Sequence, residues 1–274
     1  MTTDNRGCTA LLLAGTRPGV DPLASHFGVP AKALIGLGGM SMIERVLGVL
    51  STCSDVRRTI VLSQEPALLI AHLGDDWAGR HPEVSFETCG DSVSAAIGEA
   101  IAAHGDDYPF FVTTADNALL DRETIDAFVA GAVNSRGDVA VGLVERRTLL
   151  ASYPESRRTW LKFRGGAYSG ANLFWFARPR GLRVLETWQG IEQERKRGRA
   201  VIGAFGPLLL AAVALRLATL HQAIDRASRR LGIRAAAIVL RRAEACIDID
   251  TVADHALAET ILADSLKRND PIGG

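Results

Sequence analysis

The chain has little of what small stapled or metal-built proteins depend on. Its four cysteines, Cys8, Cys53, Cys89 and Cys246, are far apart and form no C-x-x-C pair. That spacing suggests neither a disulfide framework nor a zinc cluster, and a reducing cytoplasm is the expected location. There is no surplus charge either: 31 Lys+Arg stand against 31 Asp+Glu. A protein that grips nucleic-acid phosphates carries a basic excess, so no nucleic-acid partner is expected. Long hydrophobic runs are also missing. The apolar run at residues 11–15 follows an acidic start and does not read as a signal peptide. The longest, residues 207–215, is ended by Arg216, well short of the ~18–20 residues that cross a bilayer. No transmembrane helix is expected.

What is present is 274 residues, 47% of them hydrophobic, enough for one large core. Short β-like runs at residues 9–13, 59–62, 84–87, 109–113 and 138–144 alternate with helical patterns. Ser41-x-x-Glu44 is a capping box opening a helix with Ile43, Val46, Leu47 and Leu50 on one face. Gly90-Asp91-Ser92 opens another, lined by Val93, Ala96, Ile97, Ala100 and Ile101. Asp121 caps a third, expected to bury Ile125, Phe128, Val129, Ala132 and Val133. The run 109–113 is apolar enough to be a central strand. This alternation predicts an α/β sheet with helices on both faces.

From residue 149 the rhythm changes. Strands are expected at 160–164 and 171–176 around Gly165-Gly166, and helices over 182–197 and 207–217. Thr219-x-x-Gln222 caps a helix with Leu220, Ala223, Ile224, Ala227 and Leu231 on one face and Gly232 as its stop. A strand at 235–240, an extended piece at 246–250 and a terminal helix capped by Thr251 complete the chain.

Three stretches carry candidate chemistry. In Leu13-Ala14-Gly15-Thr16-Arg17, a glycine-bearing loop after a buried strand leaves backbone N–H groups free for phosphate oxygens, and Arg17 and Lys32 add positive charge. The loop is neither a P-loop nor the G-x-G-x-x-G fingerprint; a turn glycine with two solvated cations is the plain alternative. Asp116 follows the run 109–113, at the place where open α/β sheets present groups to ligands. It suits Mg²⁺ on nucleotide phosphates, or simply turn capping. Asp248 and Asp250 alternate onto one side of an extended segment and repel unless a cation separates them; an exposed edge running into a helix cap is the alternative.

Taken in order, Leu-Leu-Ala-Gly-x-Arg-x-Gly, Lys-Ala-Leu with Gly-Gly-Met-Ser-Met-Ile-Glu-Arg-Val-Leu, Ala-Asp-Asn after a strand, and Ile-Asp-Ile-Asp-Thr-x-x-Asp near the C-terminus resemble the MobA-like (molybdopterin-guanylyltransferase-like) nucleotidyltransferases. The resemblance covers about the first 145 residues, returns at 168–176 and again at 246–254. It implies a Rossmann-like three-layer α/β/α sandwich of the glycosyltransferase-A type. Residues 1–274 would form a single domain, with a nucleotide-binding half at 1–148 and an elaborated acceptor-side region at 149–245. It also implies transfer of a nucleotidyl group from an NTP, CTP or GTP first, to a phosphorylated acceptor, with Mg²⁺ as cofactor and release of pyrophosphate. Leu13, Ala14, Gly15, Thr16 and Arg17 would then hold the triphosphate, and Lys32 would neutralise it. Asp116 and Asp250 would bind the metal, with Asp248 the runner-up. Asp91 and Ser92 would read the base, and Gly170 and Asn172 would meet the acceptor. A nucleotide-sensing module without turnover and a nucleotide-sugar glycosyltransferase are the competing functions. The second would normally carry Asp-x-Asp where this chain has Thr114-Ala115-Asp116.

Charge neutrality hides an asymmetry. Residues 178–242 hold 14 basic side chains and four acidic ones, a local +10 that leaves −10 elsewhere. An anionic acceptor pocket and peripheral contact with an acidic membrane are the functional expectations. The plain one is a solvated helix face, with residues 208–215 in the core.

Overall fold

A computed structural model of the chain describes residues 7–15, 19, 21–194 and 206–269. The strands are β1 (Cys8–Leu13), β2 (Gly36–Leu37), β3 (Met40–Ser41), β4 (Val56–Ser63), β5 (Val84–Thr88), β6 (Phe110–Thr114), β7 (Val139–Glu145), β8 (Leu161–Phe163), β9 (Gly166–Phe176) and β10 (Ala235–Leu240). All but the β2–β3 hairpin join one eight-stranded sheet in the order β10-β7-β9-β6-β1-β4-β5, with β8 paired to β9. The pairs β1–β4, β1–β6, β4–β5 and β7–β10 are parallel. β9 runs antiparallel between β6 and β7.

The alternating apolar residues divide the core into two faces. Leu12 and Phe111 point into one cluster, and Leu11, Phe110 and Val112 into the other. The helices Met42–Thr52 and Arg122–Ser135 cover the first face, with Leu47, Leu50, Ile125 and Phe128. The helices Val93–Ala103 and Arg183–Glu194 cover the second, with Ile97, Ile101 and Leu185. This is the expected three-layer sandwich. β6 is central as expected: Phe110, Phe111, Val112 and Thr113 have no exposed surface.

The caps read from sequence are in place. Glu44 Oε2 accepts from Ser41 N–H at 2.7 Å, and Gln222 Oε1 from Thr219 N–H at 3.0 Å. Asp121 Oδ1 accepts from Thr124 N–H at 2.8 Å. The second half is held to the first partly by charge: Arg242 pairs with the Asp121 cap, and Arg178 Nε lies 3.2 Å from Asp138.

Three expectations need correction. Val133 and Val93 are 56% and 40% exposed, the first near the C-terminal end of its helix and the second at the N-terminal end of its own. The helix Pro207–Ala214 is not core: it has no buried residue, and Leu208 is 86% exposed. It rests against β8, at the margin of the sheet, and against the helix Leu220–Leu231. The end of the expected 182–197 helix and the basic residues Arg195, Lys196, Arg197 and Arg199 lie outside the described residues. The hairpin β2–β3 and the helices Asp75–Arg80 and Arg146–Ser152 have no counterpart in the sequence reading.

Candidate active site

From β1 the chain goes to β4 and β5 on one side, then returns to β6 on the other. The crevice beyond the C-terminal ends of β1 and β6 is therefore the topological switch point, where such sheets bind ligands. Leu13 ends β1, and Ala14 N–H still bonds the Leu62 carbonyl at 2.9 Å. Gly15 then turns away, exposed. A Cβ on Gly15 would stand 2.5 Å from Gln64 Oε1, so its lack of a side chain lets the Gln64 amide lie against the loop. Gln64 Nε2 donates to the Gly90 carbonyl at 3.3 Å, tying the ends of β4 and β5 together beside β1. Thr16 and Arg17 lie outside the described residues.

Across the crevice, Ala115 N–H bonds the Leu13 carbonyl at 2.9 Å and sets Asp116 directly beyond β6. Thr114 Oγ1 donates to Asp116 Oδ1 at 2.5 Å, and Lys32 Nζ reaches the other oxygen, Oδ2, at 2.7 Å. Lys32 begins a short 3-10 turn, Lys32–Leu34, whose Ala33 and Leu34 are buried and anchor it. The same ammonium lies 2.5 Å from Asp250 Oδ1. Asp250 is brought there by the backbone, since Ile249 N–H donates to the Asp116 carbonyl at 3.0 Å while Ile247 and Ile249 are fully buried. Two carboxylates and one ammonium, widely separated in sequence, thus meet at one point.

Burial alone would pull the Lys32 ammonium down, but the Asp116 charge, with hydrogen bonds to Asp116 and Asp250, outweighs it and holds Lys32 above its ordinary value. Asp248 is raised as well, which for an acid disfavours the charged form. Burial pushes its carboxyl up, Arg158 pulls it back, and Asp250 and Asp116 add repulsion, for a net rise.

A second layer of contacts holds the 246–250 segment. Arg158, with only 8% of its side chain exposed, pairs with Asp248 Oδ1 and donates to the Asp248 carbonyl at 3.0 Å and to Asp254 Oδ1 at 2.9 Å. Asp254 in turn accepts from Thr251 N–H and Oγ1 at 3.0 and 2.7 Å, capping the terminal helix Val252–Asn269. Asn172 Nδ2 donates to Asp248 Oδ2 at 3.3 Å. Asn172 has φ +51 at a register shift between β7 and β9, the kind of bulge that re-aims a side chain. Gly142 makes room opposite, since a Cβ there would meet Leu173 Cβ at 3.0 Å. Buried Asn117 pins the same bulge by donating to the Ala171 carbonyl at 2.9 Å.

The structure therefore brings together Lys32, Asp116 and Asp250, with Asn172 joined to them through Asp248. Asp91 and Ser92 stand at the end of β5, where Ser92 Oγ caps the helix Val93–Ala103 by accepting from Ala95 N–H at 3.3 Å. Gly170 is exposed on β9 opposite Leu143. Sequence reasoning missed Arg158, Gln64, Thr114, Asn117 and Asp254. Thr114 and Asn117 flank Asp116 and Asp254 ends Thr-x-x-Asp, so those three carried a signal; Arg158 and Gln64 lie in irregular stretches with none.

Among the described residues no group of three or more His, Cys, Asp or Glu side chains is gathered around a metal position. Mg²⁺ does not need one, being held by one or two carboxylates with the remaining positions left to water and substrate phosphates. Asp116 and Asp250 supply two hard oxygen donors facing one cation, and so fit that ion.

The sequence profile of the MobA-like NTP transferase domain matches residues 10–235. The chain belongs to the MobA-like NTP transferase family. Over 140 residues it is 30% identical to the bifunctional protein GlmU of Mycobacterium avium (strain 104), a match covering 49% of this chain and 28% of that protein. The chain thus spans under a third of the length of the curated relatives it matches. A hypothetical transferase from Thermus thermophilus superposes with TM-score 0.74 at 23% identity, covering 91% of this chain and 99% of that one. A CMP:2-keto-3-deoxy-manno-octonic acid synthetase complexed with CTP superposes with TM-score 0.56 at 12% identity, covering 94% and 100%. These structural likenesses establish the glycosyltransferase-A-like fold. In this MobA-like transferase no helix among the described residues is long and apolar enough to cross a membrane.

Proposed function

We propose that this enzyme, acting in the cytoplasm, transfers an NMP group from an NTP to a phosphorylated small-molecule acceptor and releases pyrophosphate, with Mg²⁺ as cofactor. The observation that carries the proposal is the Lys32 ammonium held between Asp116 and Asp250 at the switch point of the sheet. An acceptor phosphate oxygen would attack the α-phosphorus, and the bond from that phosphorus to the β-phosphate's bridging oxygen would break. The acceptor is already an anion near neutral pH, so no side chain has to remove a proton. The difficulty is repulsion between two anions, and the remedy is fixed positive charge and in-line positioning.

Asp116 and Asp250 would hold Mg²⁺, which when bound neutralises phosphate charge and orients the oxygens. Lys32 is charged through the neutral range and sits where phosphates would enter. Leu13, Ala14 and Gly15 would line the triphosphate at the end of β1, where the Ala14 N–H is already held by the Leu62 carbonyl, and Thr16 and Arg17 follow directly in the chain. Asp91 and Ser92 would face the base, and Gly170 and Asn172 the acceptor. One structural neighbour is complexed with CTP, which supports testing CTP first together with GTP. A thermal-shift series with CTP, GTP, UTP and ATP plus Mg²⁺ tests the proposal, because a ligand that binds only the folded state raises the midpoint. A rise with CTP or GTP is expected; no rise with any nucleotide would count against it.

A further inference from the structure

Asp138 is 1% exposed and stands where β7 and β10 begin and β9 ends, at the opposite end of the sheet from Asp116. Its carboxylate accepts from the Arg234 backbone N–H at 2.7 Å and lies 3.2 Å from Arg178 Nε. Its own N–H donates to the Arg234 carbonyl at 2.6 Å, and its carbonyl accepts from Ala177 N–H at 2.9 Å. The junction is tight: a Cβ on Gly181 would come 2.9 Å from the Asp138 carbonyl oxygen, and one on Gly137 2.9 Å from that of Val139. One buried carboxylate thus fixes the three segments that carry Arg136, Arg178 and Arg234. With Val133 and Asn134, these arginines line a cavity of about 630 Å³, within the size range of small-molecule sites.

The charge there is unbalanced. Asp138 is already engaged by Arg178 and by backbone, with Arg180 Nε also 4.0 Å away. Neither the Arg136 nor the Arg234 guanidinium meets a carboxylate among the described residues. Arg136 also holds φ +53 as the C-cap of the helix Arg122–Ser135, a left-handed position that favours glycine. Strain kept at one residue points to a use for its side chain. Guanidinium forks match phosphate oxygens two at a time, and exposed Val133 gives the cavity an apolar wall. We infer that this cavity binds a small phosphorylated molecule, with its phosphate group held by Arg136, Arg178 and Arg234. The inference is independent of the catalytic proposal.

The test is a titration of inorganic phosphate followed by ³¹P line broadening, on the wild-type chain, on R136G/R234S, on R136G alone and on K32M. Arg136→Gly suits the left-handed backbone, so thermal midpoints of both arginine variants should stay at or above the wild-type value. Expected are about tenfold or greater weakening in the double variant, a smaller weakening in R136G, and phosphate binding retained in K32M. Wild-type-like binding by R136G/R234S overturns the inference, as does loss of binding confined to K32M. Phosphatidic-acid vesicles provide the second arm. Arginine-dependent vesicle binding without free-phosphate binding would assign the surface to a membrane and overturn the small-molecule inference.

Discussion

Lys32 Nζ stands 2.7 Å from Asp116 Oδ2 and 2.5 Å from Asp250 Oδ1, so a single ammonium joins the end of the central strand to a segment near the far end of the chain. Its raised pKa means the charge is present throughout the neutral range. Lys32→Met is expected to lower turnover by about 10²–10³-fold, the usual cost of removing one preorganised charge contact. Steady-state pyrophosphate release measures it. A variant within a few-fold of wild type would remove Lys32 from the chemistry.

Arg158 anchors the segment that ends in Asp250. It is nearly buried between Asp248 and Asp254, and its loss would leave two carboxylates without their counter-charge. Breaking a buried pair from one side costs about 3–5 kcal/mol. Arg158→Met is therefore expected to unfold at distinctly lower urea than wild type. A denaturation midpoint equal to wild type would show that Arg158 does not hold the 246–250 segment in place.

The distribution of these residues explains what the sequence disclosed. The sandwich was legible because strand and helix periodicities alternate cleanly to residue 144, and because Ser41, Asp121 and Thr219 announce their helices. Asp116 was legible as a candidate because it follows the end of a buried strand, whereas Asp250 was set ahead of Asp248 by the family resemblance and not by any local pattern. The insertion of antiparallel β9 between β6 and β7 was not legible, since pairing partners leave no local trace. Nor was the exposure of the helix Pro207–Ala214: composition made it look like core, but it lies on β8 at the margin of the sheet. Arg158 is the clearest omission, an arginine in an aperiodic loop whose importance arises only when residues 248 and 254 fold onto it.

The core makes a prediction of its own. Phe111 has no exposed surface and packs against Phe128 with ring centroids 5.8 Å apart. Phe111→Ala should cost about 3–5 kcal/mol. Leu208→Ser, at an 86% exposed position, should leave the unfolding midpoint near the wild-type value. Chemical denaturation of the two variants side by side checks the assignment of core and margin.

Burial of three thiols sets an alkaline limit. Burial pushes Cys8 up to about 12 and Cys53 and Cys246 up to about 11, from an ordinary 9.0. The unfolded chain releases these protons first. The stability they confer is therefore complete below pH 9.0 and is lost as pH rises through about 11 to 12. At pH 8 a thiol reagent should modify half-buried Cys89 first and reach the others only on unfolding. Equal, rapid modification of all four in the folded protein would contradict the packing described.

The most direct test of nucleotidyl transfer at the Asp116–Lys32–Asp250 centre is pyrophosphate release from CTP and GTP with Mg²⁺ and a panel of phosphorylated acceptors, comparing the wild-type chain with Asp116→Ala. The expected result is acceptor-dependent release by the wild type, nearly abolished in a variant that remains folded at the assay temperature. Undiminished release by folded Asp116→Ala, or no release by the wild type with any nucleotide and acceptor, would contradict it.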